Sequence, residues 1–229
     1  MKFDILTLHP DMCQSPLQTG LIGRACNKGL IEVQCHNFRD YGLGSYKQVD
    51  DTPYGGGSGM VIRVDVLEPA IHNLRSDDSI VLLMDPAGKV FEHADAVRLS
   101  KAEHLIFVCG HYEGIDHRIH DRYVDEIFSI GDYVLTGGEL PAMVMINAIS
   151  RHIPQVLGNQ ESVVEESFAQ GVLEHPVYTK PQKYNGDEVP DVLLSGHHEK
   201  IRLWREEKAI ARTKRFRPDL INKFDDGTK

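Results

Sequence analysis

Residues 129–141 carry the sequence SIGDYVLTGGELP, and residues 107–116 carry a second stretch of the same kind, FVCGHYEGID. Each begins with apolar residues and then breaks into glycines and carboxylates. An apolar run that ends in glycine indicates a buried strand leading into a loop. Because ligands of α/β sheets bind beyond the carboxyl ends of the strands, the two loops predict one shared pocket. Pro141 then lies in the first turn of a predicted helix.

The composition indicates a globular protein with a substantial core. The chain has 229 residues, 41% of them hydrophobic and 26% charged, which suits one large domain or a domain and a half. The longest apolar runs, such as residues 80–84, are too short to span a bilayer. An acidic residue, Asp4, stands where a signal peptide would be apolar, so we expect a cytoplasmic protein. The four cysteines contain no C-x-x-C pair, which favours reduced thiols over disulfides or a thiolate zinc site.

The charge is distributed unevenly. A net charge of −9 argues against indiscriminate binding of nucleic acid by the whole surface. Residues 199–223 nevertheless contain nine lysines and arginines against four acidic residues, a local net charge of +5. This asymmetry predicts a basic face near the C-terminus, on a segment that contains Trp204, which we interpret as a core residue rather than a stacking platform.

Periodicity predicts alternating strands and helices followed by a helical tail. The predicted strands are residues 3–8, 31–35, 79–84 and 105–109, and the predicted helices are residues 15–28, 64–74, 94–101, 142–152 and 199–213, with another helix beginning at Pro218. A turn is expected at residues 85–88. We divide the chain into a first domain of residues 1–158, a linker or lid of residues 159–171, and a small helical domain of residues 172–229.

Two further patterns leave alternatives open. The glycine run at residues 53–60, PYGGGSGM, matches neither a P-loop nor a dinucleotide-binding fingerprint, so it is either a flexible turn or a backbone-rich surface that a ligand can approach. His104, His111, His117 and His120 are close in sequence, but their spacing fits no defined metal motif. We interpret these histidines as packing or surface residues and predict no metal ligands.

The motifs GHYEGID and SIGDYVLTGGELPAM together resemble the bacterial tRNA (guanine-N1)-methyltransferases, the TrmD family of the SPOUT class. FRDY at residues 38–41 and VDDTPYGGGSGMV at residues 49–61 are also similar to family motifs, and the resemblance runs from Phe3 to about Leu220. It implies an α/β fold, with a parallel sheet and a deep trefoil knot that hold S-adenosylmethionine, plus a small helical C-terminal domain that binds tRNA. The family usually has Ser-Pro-Gln-Gly where this chain has Asp-Pro-Ala-Gly at residues 85–88.

The resemblance also implies which residues form the site. Glu166, where the family has aspartate, would be the general base, and Arg151 the cation that stabilises developing charge. The cofactor-binding residues would be Pro86, Gly110, Tyr112, Glu113, Ile130, Gly131, Asp132, Tyr133, Val134, Leu135, Gly137, Gly138 and Pro141. The substrate-binding residues would be Asp50, Gly55, Gly56, Gly57, Gly59, Arg202 and Arg205.

The implied reaction is methyl transfer from S-adenosylmethionine to N1 of guanosine at position 37 of tRNA. The implied assembly is a homodimer with active sites shared across its interface, in which the +5 segment holds phosphates of the anticodon stem-loop. The family is magnesium-dependent, although the sequence shows no ligand set for Mg²⁺.

Two other functions compete with this one. A SPOUT methyltransferase acting on another RNA base or on a ribose 2′-hydroxyl would share the fold, and a ribose methylase would not need Glu166 as a base. A protein that binds RNA but has lost its cofactor would explain Asp85, Ala87 and Glu166 as departures from the family pattern. It would give no heat when titrated with S-adenosylmethionine.

Overall fold

The computed structural model describes residues 1–158 and 166–225, with side chains up to residue 221. The chain divides into two compact units, Met1–Gly158 and Asn159–Lys229. Residues 159–165, most of the predicted linker or lid, lie outside the described residues.

A five-stranded parallel sheet forms the centre of the first unit. Its strands are β1 (Lys2–Thr7), β2 (Glu32–Asn37), β5 (Ser79–Val90), β6 (His104–Cys109) and β7 (Glu126–Ser129), in the order β2-β1-β6-β5-β7. Two short strands, β3 (Asp50–Asp51) and β4 (Val61–Ile62), form a separate antiparallel pair. Every residue of β6 is buried, as expected for a parallel strand covered on both faces.

Helices cover both faces of this sheet. They are α1 (Asp11–Gln18), α2 (Gly20–Asn27), α3 (Val64–Leu74), α4 (His93–Leu99), α5 (His117–Tyr123) and α6 (Glu139–Ser150), with a 3₁₀ turn at Phe38–Tyr41. Residues of α1, α2, α4 and α6 pack in one core around Phe107. Residues of α3 and α5 pack in a second core around Val108 on the opposite face. The first unit is therefore a three-layer α/β structure, which confirms the predicted fold class at that level.

The structure corrects several predicted boundaries. The helix predicted over residues 15–28 is two helices, because Gly20 adopts a positive φ of 60° between them. α6 begins at Glu139, so Pro141 lies in its first turn as predicted, whereas α5 was not predicted. β5 continues past Met84: both Met84 and Lys89 pair with Phe128, so the four residues between them form a loop inside the strand.

The second unit contains a hairpin and three helices among its described residues. The elements are β8 (Lys183–Tyr184), β9 (Asp187–Glu188), α7 (Asp191–Leu194), α8 (His198–Phe216) and α9 (Pro218–Asp225). Thr213, buried on α8, donates to the carbonyl of Ala209 and accepts from the backbone N–H of Leu173 at 2.9 Å. The ring of Trp204 lies against those of His175 and Tyr178, consistent with a packing role.

A buried carboxylate near the amino ends of the strands stabilises the first unit. Asp4 on β1 is fully buried and contacts His36, His104 and Lys2 at 2.7–2.8 Å. Burial alone would raise its pKa, but the hydrogen bonds from His36, Lys2 and His104 lower the pKa from 3.8 to about 2. A lowered pKa means that the ionised carboxylate stabilises the fold above its unfolded-state pKa. This contribution is lost as the pH falls towards the folded-state value.

We predict that Asp4→Asn lowers the free energy of unfolding by about 2 kcal/mol at about pH 7. The difference from the unsubstituted chain should shrink as the pH falls from about 4 towards about 2, because the native carboxyl then becomes protonated. Urea denaturation across this pH range measures both quantities. A difference that does not change with pH would contradict the assignment.

Candidate active site

A cavity of about 290 Å³ lies at the carboxyl ends of β6 and β7, beside the loop inside β5 and the start of α6. This volume is near the lower end of the range for small-ligand pockets. The predicted cofactor-binding residues that line it are Pro86, Gly110, Tyr112, Glu113, Ile130, Gly131, Tyr133, Val134, Leu135, Gly137, Gly138 and Pro141. Asp132 is not among the lining residues. The structure thus brings together the loop inside β5 and the loops that follow its two neighbours, β6 and β7.

Two glycine-containing loops meet directly at this cavity. The backbone N–H of Gly138 donates to the carbonyl of Gly110 at 3.1 Å, and His111 forms a backbone bridge with Gly137. A Cβ atom on Gly138 would lie 2.7 Å from Cα of Cys109, and one on Gly137 would lie 2.4 Å from Cε1 of His111. Only glycine permits this approach of the two loops, which explains the glycine pair in the sequence.

The loop after β7 forms another wall. Gly131 adopts a φ of 149°, and a Cβ atom there would lie 2.5 Å from the ring of Tyr133. The hydroxyl of Tyr133 donates to the carbonyl of Ile130 at 3.2 Å. Val134 remains 87% exposed. Backbone groups and apolar side chains therefore dominate this wall, a surface suited to a heterocyclic ring.

The glycine-rich loop predicted to bind substrate contacts the cavity through Glu113. The backbone N–H of Glu113 donates to Met60 at 3.0 Å, and a Cβ atom on Gly59 would lie 2.3 Å from Cγ of Glu113. Asp50 pairs with Ile62 in the β3–β4 hairpin. Gly55, Gly56 and Gly57 are exposed with positive φ angles, and none of them lines the cavity.

Glu139, the first residue of α6, was not among the predicted site residues. It is fully buried and accepts hydrogen bonds from the Thr7 hydroxyl and from Nε2 of His111, the latter at 2.6 Å. Burial and the nearby Glu139 carboxylate raise the pKa of the Cys109 thiol well above its ordinary value, so this thiol stays protonated and is no nucleophile. His111 lines the cavity and was predicted only as a packing or surface residue.

The two predicted catalytic residues belong to the end of α6 and to the second unit. Arg151 caps the C-terminus of α6, whereas the cavity adjoins the N-terminus of this 12-residue helix, about 18 Å away along its axis. Glu166 belongs to the second unit, where its carbonyl accepts from the backbone N–H of Ala169 in a turn that includes Phe168 at a φ of 76°. The structure therefore does not place Arg151 in the lining of the cavity of its own chain.

The predicted basic contacts are on α8. Arg202 contacts Glu199 at 2.6 Å and Glu206 at 2.5 Å, so two carboxylates already compensate its charge. Arg205 is exposed on the same helix. Lys214, one of the nine basic residues of the +5 segment, is exposed and forms no ion pair with a described residue.

The described residues contain neither a candidate metal site nor a helix that could span a membrane. No group of three or more histidine, cysteine, aspartate or glutamate side chains within residues 1–158 and 166–225 could hold a metal ion. In the same part of the chain, no helix has the length and apolar character required to cross a membrane.

A parallel α/β sheet with a ligand-sized cavity at the carboxyl ends of its strands defines a small-ligand-binding α/β protein. Comparison with known proteins identifies the family to which the chain belongs within this class. The profile of the family described as tRNA (Guanine-1)-methyltransferase TrmD matches residues 1–223. The chain belongs to this family.

Named relatives are similar along nearly the whole chain. A protein of Streptococcus pyogenes serotype M3 is 51% identical over 225 residues, covering 98% of this chain and 91% of the relative. A Geobacter sulfurreducens protein is 51% identical over 227 residues, covering 98% and 93%. A Syntrophomonas wolfei protein is 51% identical over 231 residues, covering 100% and 94%. Each of these relatives is named tRNA (guanine-N(1)-)-methyltransferase.

We predict that Gly138→Ala lowers the free energy of unfolding by about 1–3 kcal/mol. The added Cβ atom would meet the backbone of Cys109 at 2.7 Å, so one loop must move. Gly158→Ala is the matched control, because Gly158 also lacks a positive φ and a Cβ atom there has no neighbour within 4 Å among the described residues. Urea denaturation compares the two variants. Equal stabilities would show that the loops do not need glycine at this contact.

Proposed function

We propose that this chain transfers a methyl group from S-adenosylmethionine to N1 of guanosine 37 in tRNA, next to the anticodon. The observation that carries the proposal is the position of both long family motifs around a single cavity, in a chain that matches the TrmD family over residues 1–223. We place the enzyme in the cytoplasm, where its tRNA substrate would be found.

The cavity residues fit an adenosine-containing cofactor. Gly137 and Gly138 line the cavity without a side chain, which allows a ligand to lie against their backbone. Exposed apolar groups of Tyr133 and Leu135 would cover the faces of a heterocycle, and backbone groups would recognise its edges. When bound, S-adenosylmethionine supplies a methyl group on a positively charged sulfur. We further propose that the chain around this cavity is threaded as a trefoil knot, as the family implies.

The proposed chemistry needs a base and a cation. Guanine N1 carries a proton, and Glu166 would accept it, which leaves negative charge that spreads from N1 towards O6 of guanine. Arg151 would stabilise this charge. The charge is neutralised when N1 gains the methyl group, as the carbon–sulfur bond of the cofactor breaks and S-adenosylhomocysteine leaves. Holding the methyl carbon and N1 in line supplies much of the remaining acceleration. Mg²⁺, on which the family depends, would help to stabilise this same negative charge. We assign no residue of this chain as a metal ligand.

A homodimer would reconcile these roles with the position of Arg151. One chain places Arg151 about 18 Å from the start of α6, which adjoins its own cavity. On α6, Leu140 and Val144 are each 49% exposed one turn apart, an apolar face suited to a second copy of the chain. We therefore propose that each active site combines the cavity of one chain with Arg151 and Glu166 delivered across the interface.

We predict that Glu166→Gln lowers the rate of methyl transfer to a tRNA transcript by at least about 100-fold, because Gln cannot accept the N1 proton. Binding of tRNA should be unchanged. Glu103→Gln is the matched control: Glu103 is exposed and immediately precedes β6, at the opposite end of this strand from the cavity. Single-turnover transfer with labelled cofactor measures the rate. Full activity of Glu166→Gln with intact tRNA binding would reject Glu166 as the base and favour a ribose methylase.

The basic residues of α8 would contact the phosphates of the anticodon stem-loop, and Lys214 and Arg205 join Arg202 in this proposal. We predict that Lys214→Ala weakens tRNA binding and reduces the salt dependence of log Kd by about one unit of slope. Arg202→Ala should change this slope less, because Glu199 and Glu206 already pair with Arg202. Filter binding across a salt series measures both slopes. Equal slopes for Lys214→Ala and the unsubstituted chain would remove Lys214 from the interface.

A further inference from the structure

The first unit contains a buried carboxylate directly behind the cavity wall. Glu139 is fully buried, and its Oε1 atom accepts from both the Thr7 hydroxyl and Nε2 of His111. Thr7 ends β1, His111 follows β6 and Glu139 begins α6, so one oxygen atom connects three elements.

The second oxygen of this carboxylate is unusual. Oε2 of Glu139 is buried and has no hydrogen-bond partner among the described residues. A buried acceptor without a hydrogen-bond partner destabilises the folded state. Asp4, the other fully buried carboxylate among the described residues of the first unit, differs because both of its oxygens have partners. Glu139 is therefore poorly explained as a stabilising residue, whereas Asp4 is well explained as one.

The unpaired oxygen points towards a loop of the cavity. A Cβ atom on Gly137 would lie 2.5 Å from Oε2 of Glu139 and 2.7 Å from Nε2 of His111. Gly137 therefore lies directly on the Glu139–His111 pair, with no side chain between them. Both Gly137 and His111 line the cavity, whereas Glu139 and Thr7 do not. The position of this wall depends on where Glu139 holds the imidazole ring.

We propose that Glu139 is a positioning residue for cofactor binding. Through His111 it fixes the position of the Gly137–Gly138 loop in the cavity wall. The position of this loop determines how well the cavity fits the adenosine part of the cofactor. Its negative charge matters because charge-assisted hydrogen bonds are roughly twice as strong as neutral ones. The inference rests on the proposed function, since it assumes that the cavity binds S-adenosylmethionine.

The test compares two substitutions that remove a buried charge with little change in shape. Calorimetric titration with S-adenosylmethionine and with S-adenosylhomocysteine should show about tenfold weaker binding of both ligands to Glu139→Gln, equivalent to about 1.4 kcal/mol. Asp4→Asn should bind both ligands as the unsubstituted chain does, although it is the less stable variant. In steady-state assays, Glu139→Gln should raise KM for the cofactor and leave kcat unchanged at saturation.

If Glu139→Gln fails to fold, substitutions of Thr7 test the same hydrogen-bond network. Thr7→Val keeps the shape of the side chain but removes the donor to Glu139, so cofactor affinity should fall severalfold. Thr7→Ser restores the hydroxyl and should restore the affinity.

The possible outcomes separate the inference from the proposed function. Unchanged affinity in Glu139→Gln and Thr7→Val overturns the positioning role alone. A loss in Asp4→Asn as large as in Glu139→Gln also overturns it, because general destabilisation would then explain both. Absence of binding by the unsubstituted chain overturns the proposed cofactor and the inference together.

Discussion

The site depends on the close contact of two backbone segments, Gly110 and Gly138, joined by a hydrogen bond of 3.1 Å. One segment leaves the central strand β6, and the other enters α6, so the contact fixes a strand end against a helix start. Since a Cβ atom on Gly138 would lie 2.7 Å from the backbone of Cys109, any larger residue separates the segments. The cavity forms because these two segments are in contact. The apolar cores on both faces of the sheet hold the segments in place.

Charged residues in the two units serve different purposes. Asp4 is buried with three cationic or imidazole partners and stabilises the sheet far from the cavity. Glu139 is buried with fewer partners, directly behind the cavity. On α8, a net positive segment lies in a chain whose overall charge is −9, which focuses attraction for a polyanion on one helix. Stability, ligand positioning and RNA attraction thus use different charged groups.

Much of the architecture follows from local sequence, and the exceptions have physical causes. Residues 105–109 form a buried strand because an uninterrupted apolar run fits only the centre of a covered sheet. The break between α1 and α2 could not be predicted from hydrophobic periodicity, because it depends on the positive φ angle of Gly20. The glycines of the cavity were recognisable from two long motifs. Glu139 was not, because an acidic residue in the first turn of a helix is usually an exposed charge, and its burial arises from tertiary contacts with Thr7 and His111.

The most direct test of the proposed activity is nucleoside mass spectrometry of an unmodified tRNA transcript with guanosines at positions 36 and 37. The transcript is incubated with the chain and S-adenosylmethionine, and a transcript with adenosine at position 37 is the control. Our account predicts 1-methylguanosine at position 37 and no product from the control. A 2′-O-methylated nucleoside, a methylated base elsewhere, or no product despite cofactor binding would contradict it.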